Sequence, residues 1–239
     1  QQFWKNRNYL FNAKLYFSNV QGTKEAIATT QTAPARYFQR PDIKYVNVDS
    51  TRTSLSGTGG LVQFGKIGEG HVRYLTFVSW KSPEFEVNDI GFSQNVDDIF
   101  QVIWVGLRYW EPVFMFRSIN FNFNQWTGWN FGGNSTYKGG NVNFNVQFKN
   151  YWGFGSGINR NGVSLSSSAL RGGPMLKMPG GWNNWYNINS DQRKAFTFSF
   201  GGSNNWGDEN SRKSNSFYSS INYRPSKKLS LSIIPEISR

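Results

Sequence analysis

Strict alternation of apolar and amide side chains constrains this chain more than any other feature. From Asn141 to Phe148, Val142, Phe144, Val146 and Phe148 alternate with Asn141, Asn143, Asn145 and Gln147. Between Ile119 and Asn124, Ile119, Phe121 and Phe123 alternate with Asn120, Asn122 and Asn124. Phe196, Phe198 and Phe200 are separated by Thr197 and Ser199, and Leu229, Leu231 and Ile233 by Ser230 and Ser232. Successive strand side chains point to opposite faces, so each segment has one apolar and one polar face.

Extending this pattern predicts about eleven strands, near 7–20, 59–66, 70–81, 98–110, 114–127, 139–149, 151–162, 174–188, 193–203, 214–223 and 227–237. The eighth is interrupted by Pro174, Pro179 and Gly180-Gly181, residues that do not sit inside a paired strand. The connections alternate. Long ones fall near 21–58, 82–97, 128–138, 163–173 and 204–213. Short ones fall at 66–70, 111–113, 150, 190–192 and 224–226. Such a division of short turns from long loops is the pattern of outer-membrane barrels.

Aromatic residues fit two interfacial bands. Trp80, Trp126, Trp129, Phe131 and Trp206 lie near the long-loop ends, and Trp110, Tyr151, Trp152 and Tyr223 near the short-turn ends. Indole and phenol rings favour the lipid headgroup level. No apolar run approaches the roughly 18 residues of a membrane helix. The mean hydropathy of -0.56 is no argument against membrane strands, whose two faces average out. Gln1-Gln2-Phe3-Trp4-Lys5 does not open a signal peptide.

The stretch Ala33-Pro34-Ala35-Arg36-Tyr37-Phe38-Gln39-Arg40-Pro41-Asp42 is distinctive. So are Asp49 to Gly60, Phe85 to Phe92, Trp129 to Asn134, Gly157 to Gly162, Leu170 to Pro174, Pro179 to Asn183 and Ile221 to Ser226. Together they resemble the barrel region of large outer-membrane proteins of Gram-negative bacteria that carry a carbohydrate-binding family-nine domain. The resemblance implies a C-terminal barrel of unknown function behind a sugar-binding β-sandwich. That sandwich has no counterpart here, so its sugar-binding function does not transfer. The chain stops at Ser238-Arg239 without a closing aromatic residue and is expected to be an internal fragment.

Composition excludes several chemistries. With no cysteine, disulfides and thiolate metal sites are ruled out, and a lone His71 does not build a zinc centre. His71 sits at a short turn, and no nucleophile motif such as Gly-x-Ser-x-Gly is present. Gly57-Thr58-Gly59-Gly60 lacks the Gly-Lys-Ser/Thr of a phosphate loop and reads as a bend into a strand. Glu84, Glu86, Asp89, Asp97 and Asp98 gather in one loop; paired carboxylates suit calcium or glycosidase chemistry, but no calcium-loop spacing is present, so an extracellular loop with solvated or arginine-paired acids is expected. Trp182, Trp185 and Tyr186, beside Asn183 and Asn184, are the candidate glycan contacts. The formal charge of +12 is scattered, and Arg36, Arg40, Arg52, Arg160, Arg171, Arg212 and Lys213 lie in or near loops. No nucleic-acid motif gathers them.

The reading is an all-β, antiparallel transmembrane barrel section of about eleven strands, an incomplete barrel in a single region 1–239. Ile119, Phe121, Phe123, Val142, Phe144, Val146, Phe148, Phe196, Phe198 and Phe200 are expected to face lipid. Asn120, Asn122, Asn124, Asn141, Asn143, Asn145 and Gln147 are expected to face the lumen. The expected function is a bacterial outer-membrane pore, or a platform for a carbohydrate-binding domain, with no enzyme site, metal or cofactor. Its expected partners are outer-membrane lipid and lipopolysaccharide, glycans through the other domain, and no nucleic acid. The alternatives are a soluble secreted β-rich glycan-binding protein and a carbohydrate-active hydrolase.

Overall fold

A computed structural model describes residues 2–4, 6–88, 91 and 93–239. The chain is all-β. Its strands are β1 (Gln2–Trp4), β2 (Tyr9–Gln21), β3 (Ser54–Lys66), β4 (Val72–Lys81), β5 (Asp98–Tyr109), β6 (Phe116–Trp129), β7 (Ser135–Phe148), β8 (Gly153–Asn161), β9 (Ser164–Ser166), β10 (Leu176–Met178), β11 (Gly181–Asn189), β12 (Phe196–Gly207), β13 (Lys213–Ser226), β14 (Leu229–Ile233) and β15 (Glu236–Ser238). One antiparallel sheet runs β1-β2-β3-β4-β5-β6-β7-β8-β11-β12-β13-β14, with β15 also paired to β13. Neighbours in space are neighbours in the chain, save that β8 passes to β11 across the separate β9–β10 hairpin. Among the described residues no pairing joins β14 to β1 or β2, so the sheet is open.

Three expectations are corrected here. The long loops expected at 128–138 and 204–213 are connections of five residues, 130–134 and 208–212, no longer than the 67–71 turn, because the strands on either side run into them. The predicted strand 174–188 is two elements: β10 pairs with β9 outside the main sheet, and β11 begins after Pro179-Gly180. The prolines supply no ladder N–H, so pairing resumes only past them. The predicted loop 21–58 contains a helix, α1 (Lys24–Thr32). Thr23 caps it, its hydroxyl accepting from the Ala26 amide at 3.2 Å. Pro34 stands just beyond its end, a residue whose predecessor resists helical geometry.

Register separates the two faces without ambiguity. Opposite Ile119, Phe121 and Phe123 stand Val146, Phe144 and Val142; opposite Asn120, Asn122 and Asn124 stand Asn145, Asn143 and Asn141. Following the pairs across the sheet puts Phe11, Leu15, Phe17, Val62, Phe64, Val78, Ile103, Val105, Phe196, Phe198 and Phe200 on the apolar face. No second layer covers that face: Leu15 keeps 57% of its surface and Phe17 76%.

The long connections instead fold onto the opposite face. Gly57 and Gly59 lie on it, and Phe85 from the 82–97 loop rests against both: a Cβ on Gly57 would stand 2.3 Å from the Phe85 amide nitrogen. Ser18, on the same face, accepts from the Glu86 amide at 3.0 Å. The glycine run therefore has a packing reason inside β3 rather than marking its start. The loop-covered face is termed inner below, and the uncovered one outer.

The inner face departs from expectation over part of its width. It is amide- and serine-rich from β6 to β13, but on β3–β5 it carries Leu61, Leu75, Phe77, Phe100 and Val102. Phe77 and Phe100 lie 6.2 Å apart there, and Tyr137 meets Phe100 edge-on at 6.0 Å.

Filling the Gly57 position tests the loop seat. Gly57→Val should lower stability by about 1–3 kcal/mol, because rigid backbone must move, and should open 82–97 to protease. Gly22→Ala, whose new methyl meets nothing closer than 3.4 Å, should leave both readouts near the parent values. Unchanged cleavage in the Gly57 variant would contradict the seat.

Candidate functional surfaces: an apolar outer wall, an amide inner wall and a loop cap

Three arrangements are built from these elements. The outer wall is an apolar band with polar edges. On β4 it runs Val72, Tyr74, Thr76, Val78, Trp80, about 27 Å along the strand at ~3.4 Å per residue. Tilted by ~40°, it stands roughly 21 Å tall, near the ~25 Å apolar belt of an outer-membrane barrel. Among the described residues, the outer faces of β2–β8 and β11–β13 carry no Asp or Glu. Their cations, Lys66, Lys138, Arg160 and Lys213, lie toward the strand ends. Three polar groups inside the band turn back to the backbone: Thr76 donates to the Val102 carbonyl at 3.1 Å, Ser156 to the Trp185 carbonyl at 3.0 Å and Asn184 to the Gly157 carbonyl at 3.0 Å, while Gln125 donates to the Thr127 hydroxyl at 2.6 Å.

Aromatic rings mark the edges of this band. At the short-turn end Trp4 stacks on Tyr9 at 5.6 Å and on Phe64 at 6.0 Å, and Phe64 reaches Tyr74 at 6.1 Å. At the long-loop end Trp80, Trp182 and Trp206 face outward. Trp126, expected in that band, faces inward instead, its ring lying over Gly139. Trp182 and Tyr186 share the outer face while Trp185 lies on the inner one, so the three candidate glycan contacts do not form one platform.

The inner wall of β6–β13 is a hydrogen-bonded amide row. Asn124 donates to Asn141 at 2.7 Å, Asn159 to Asn183 at 2.7 Å, Asn183 to Asn205 at 2.8 Å and Asn205 to Ser214 at 3.1 Å. A second row leaves β5: Trp104 and Arg108 both donate to Asn122, at 3.0 and 2.7 Å, and Asn122 donates to Asn143 at 2.8 Å. An amide both gives and accepts, so a row of them satisfies itself and still presents polar atoms to water. Trp126, Asn159, Asn183 and Asn205 also line a cavity of about 530 Å³.

The cap gathers the long loops. Ile27, Phe38, Phe85 and Val96 are buried in it, with Gln31, Arg36, Arg40 and Asp97. The Gln31 amide closes a two-way bond with the Asp49 backbone, at 2.9 and 2.7 Å. Arg36 pairs with Glu86 at 2.7 Å and also donates to the Phe85 carbonyl at 2.6 Å. Asp97 accepts from Arg40 at 3.3 Å, from the Phe131 amide at 2.9 Å and from the Tyr45 hydroxyl. Burial pushes the Asp97 carboxyl above the ordinary aspartate range despite these donors, and burial followed by the Asp97 bond pushes the Tyr45 phenol up as well. Glu84 takes both terminal nitrogens of Arg52, at 2.6 and 2.8 Å.

Of the two states expected for these acids, solvated or arginine-paired, Glu84, Glu86 and Asp97 show the second; Asp98 stands opposite Lys81 in register, and Asp89 lies outside the described residues. Among the described residues no group of three or more His, Cys, Asp or Glu side chains is placed to hold a metal ion. His71 stacks on Tyr109 at 4.1 Å and donates from Nδ1 to the Arg108 carbonyl at 2.8 Å, an arrangement with no nucleophile in it.

Residues 4–239 match the family described as a domain of unknown function, DUF5916, and the chain belongs to that family. Nothing in the match links it to carbohydrate-binding family nine. No curated protein and no solved structure matches the chain.

The Arg52–Glu84 pair makes the cap acid-sensitive. Hydrogen bonds from Arg52 hold the Glu84 carboxyl below the usual glutamate range. A depressed folded-state value means the contribution is complete above the ordinary range and is lost as pH falls through the lowered value. Cleavage of 82–97 should rise on acidification below about pH 4.5. Arg52→Gln should raise cleavage at neutral pH and flatten this dependence, for a part-buried pair worth ~1 kcal/mol. A pH profile unchanged by the substitution would contradict the assignment.

Proposed function

We propose that this DUF5916 chain forms a section of the wall of an outer-membrane β-barrel, with the apolar face in lipid and the amide face toward an aqueous lumen. One observation carries the reading: a single sheet, paired in chain order, leaves its entire apolar face uncovered while its long loops fold onto the other face. A water-soluble sheet protein covers its apolar face with a second layer, packed about 10 Å away. Here the uncovered area extends over ten adjacent strands, far beyond the few hundred Å² that a soluble monomer exposes. Lipid supplies the missing layer.

The same reading accounts for the open edges. In hydrocarbon every backbone N–H and C=O needs a partner, so a membrane sheet closes on itself. The edge of β2 beyond Phe11 has no neighbour among the described residues. Strands from outside this chain would complete the wall there. The long-loop end, with its arginine-tied cap, would face outward, and the short turns would face the periplasm. Lys138 and Lys213, at the long-loop end of the outer face, then fall near lipid phosphate, the chemistry that lipopolysaccharide offers. The wall would serve as a pore or as a platform for an attached domain.

Paired substitutions on one strand test the orientation. Phe144→Arg should impair assembly into lipid vesicles by roughly 2–4 kcal/mol, since a guanidinium near the midplane meets no partner. Asn143→Arg, on the opposite face of β7, should assemble nearly as the parent does. Equal tolerance of the two would favour a soluble β protein whose apolar face meets another protein.

A further inference from the structure

On the inner faces of β4 and β5 stand two arginines that no acid pairs among the described residues. Arg73 is the second residue of β4 and Arg108 the last but one of β5. Register pairs Arg73 with Gly106, and the Arg108 amide bonds to the His71 carbonyl. The two arginines are thus diagonal neighbours on the inner face, where each charge acts on the other. Five ion pairs occupy other arginines of the chain, and among the described residues none reaches either of these.

Their surroundings differ in a telling way. Arg108 is held in place: it donates to Asn122 Oδ1 at 2.7 Å and to the Phe121 carbonyl at 3.2 Å, and lies over the Trp104 ring at 5.5 Å. Every one of these partners is neutral. Among the described residues the Arg73 side chain has no hydrogen-bond partner, and its Nε is buried without one. Gly106 carries no side chain between the two strands, and the Trp104 ring lies across it. Across the inner faces of β2–β6 the other cations are Lys14 and Lys81, and the single acid is Asp98, which stands opposite Lys81 at the far end. Two like charges at close range with a buried unpaired donor are costly in isolation. An anion bound between them removes both costs, since guanidinium N–H groups match carboxylate and phosphate oxygens in pairs.

We propose that Arg73 and Arg108 form an anion-binding subsite on the inner wall near its short-turn end, for a phosphate or carboxylate group of a solute in the lumen. Arg108 is the fixed arm, oriented by Asn122 and Trp104, and Arg73 is the free arm that closes on the anion. The buried, unpaired Oδ1 of Asn120, which follows Arg108 in register on β6, is an acceptor for a hydroxyl of the same solute. Rings of basic side chains are what make anion-selective pores. The proposal rests on the inner wall facing water and deepens the pore reading by naming the charge it selects.

Inorganic phosphate is the probe, used with the full chain in detergent micelles. Partition of the folded chain into micelles or vesicles is read first and tests the membrane reading alone. Phosphate binding is read separately by titration calorimetry, in whichever solvent the chain folds. The expected result is saturable binding to the parent protein, weakened on the order of ten-fold by Arg73→Gln or Arg108→Gln and unchanged by Arg212→Gln. Phenylglyoxal labelling of the parent protein, mapped by mass spectrometry, needs no variant: phosphate should protect Arg73 and Arg108 and leave Arg212 reactive. Absence of saturable binding, equal binding by the variants, or equal protection of all three arginines would each overturn the subsite.

Discussion

The continuous ladder of backbone hydrogen bonds between chain neighbours governs everything else in this structure. Ten strands of nine to fourteen residues pair in sequence order, and no second layer packs against them. Side-chain direction along such strands has a period of two, so the ladder alone decides which residues share a face. A slip of one residue at any pairing would carry the amides to the apolar side. Register is therefore what keeps Phe121 opposite Phe144 and Asn122 opposite Asn143.

From that constraint the chemistry of the two faces follows. Apolar side chains on one face have only their own neighbours for company, and Thr76, Ser156 and Asn184 among them bond back to the ladder. The other face holds the amide rows, the basic residues and the seats of the loops. Where the loops settle, glycine makes the approach possible: Gly57 and Gly59 let the Phe85 segment lie directly on the strand. The cap is then locked by ion pairs that the strands do not make, with Arg36, Arg40 and Arg52 each reaching an acid on the 82–97 connection. Arg73 and Arg108 sit at the opposite end of the same face and lack any such acid.

Much of this was legible in sequence because alternation is a local signal. The eleven predicted strands correspond to β2–β8 and β11–β14, and both expected faces of β6 and β7 come out on opposite sides of the sheet. Features depending on distant contacts were not legible. Helix α1 is short and buries only Ile27 and Gln31, so its amphipathic period is faint beside its three threonines. The glycines of β3 signalled a bend because their partner, Phe85, lies 26 or more residues away. β4 and β5 are apolar on both faces in part, which hides the period, and so Arg73 and Arg108 gave no sign of sharing a face. The acids at Glu84, Glu86 and Asp97 suggested pairing, but only the folded loops show which arginine meets which acid.

The central claim is that the face bearing Phe121 and Phe144 meets lipid while the face bearing Asn122 and Asn143 meets water. The chain contains no cysteine, so single cysteines introduced along 119–124 and 141–148 can each carry one nitroxide spin label. In vesicles, relaxation by oxygen, which concentrates in lipid, and by a water-soluble nickel chelate should both alternate with a period of two and in opposite phase. Oxygen maxima are predicted at Ile119, Phe121, Phe123, Val142, Phe144 and Val146, and nickel maxima at the intervening asparagines. Nickel access equal on both faces, or the opposite phase, would contradict the account.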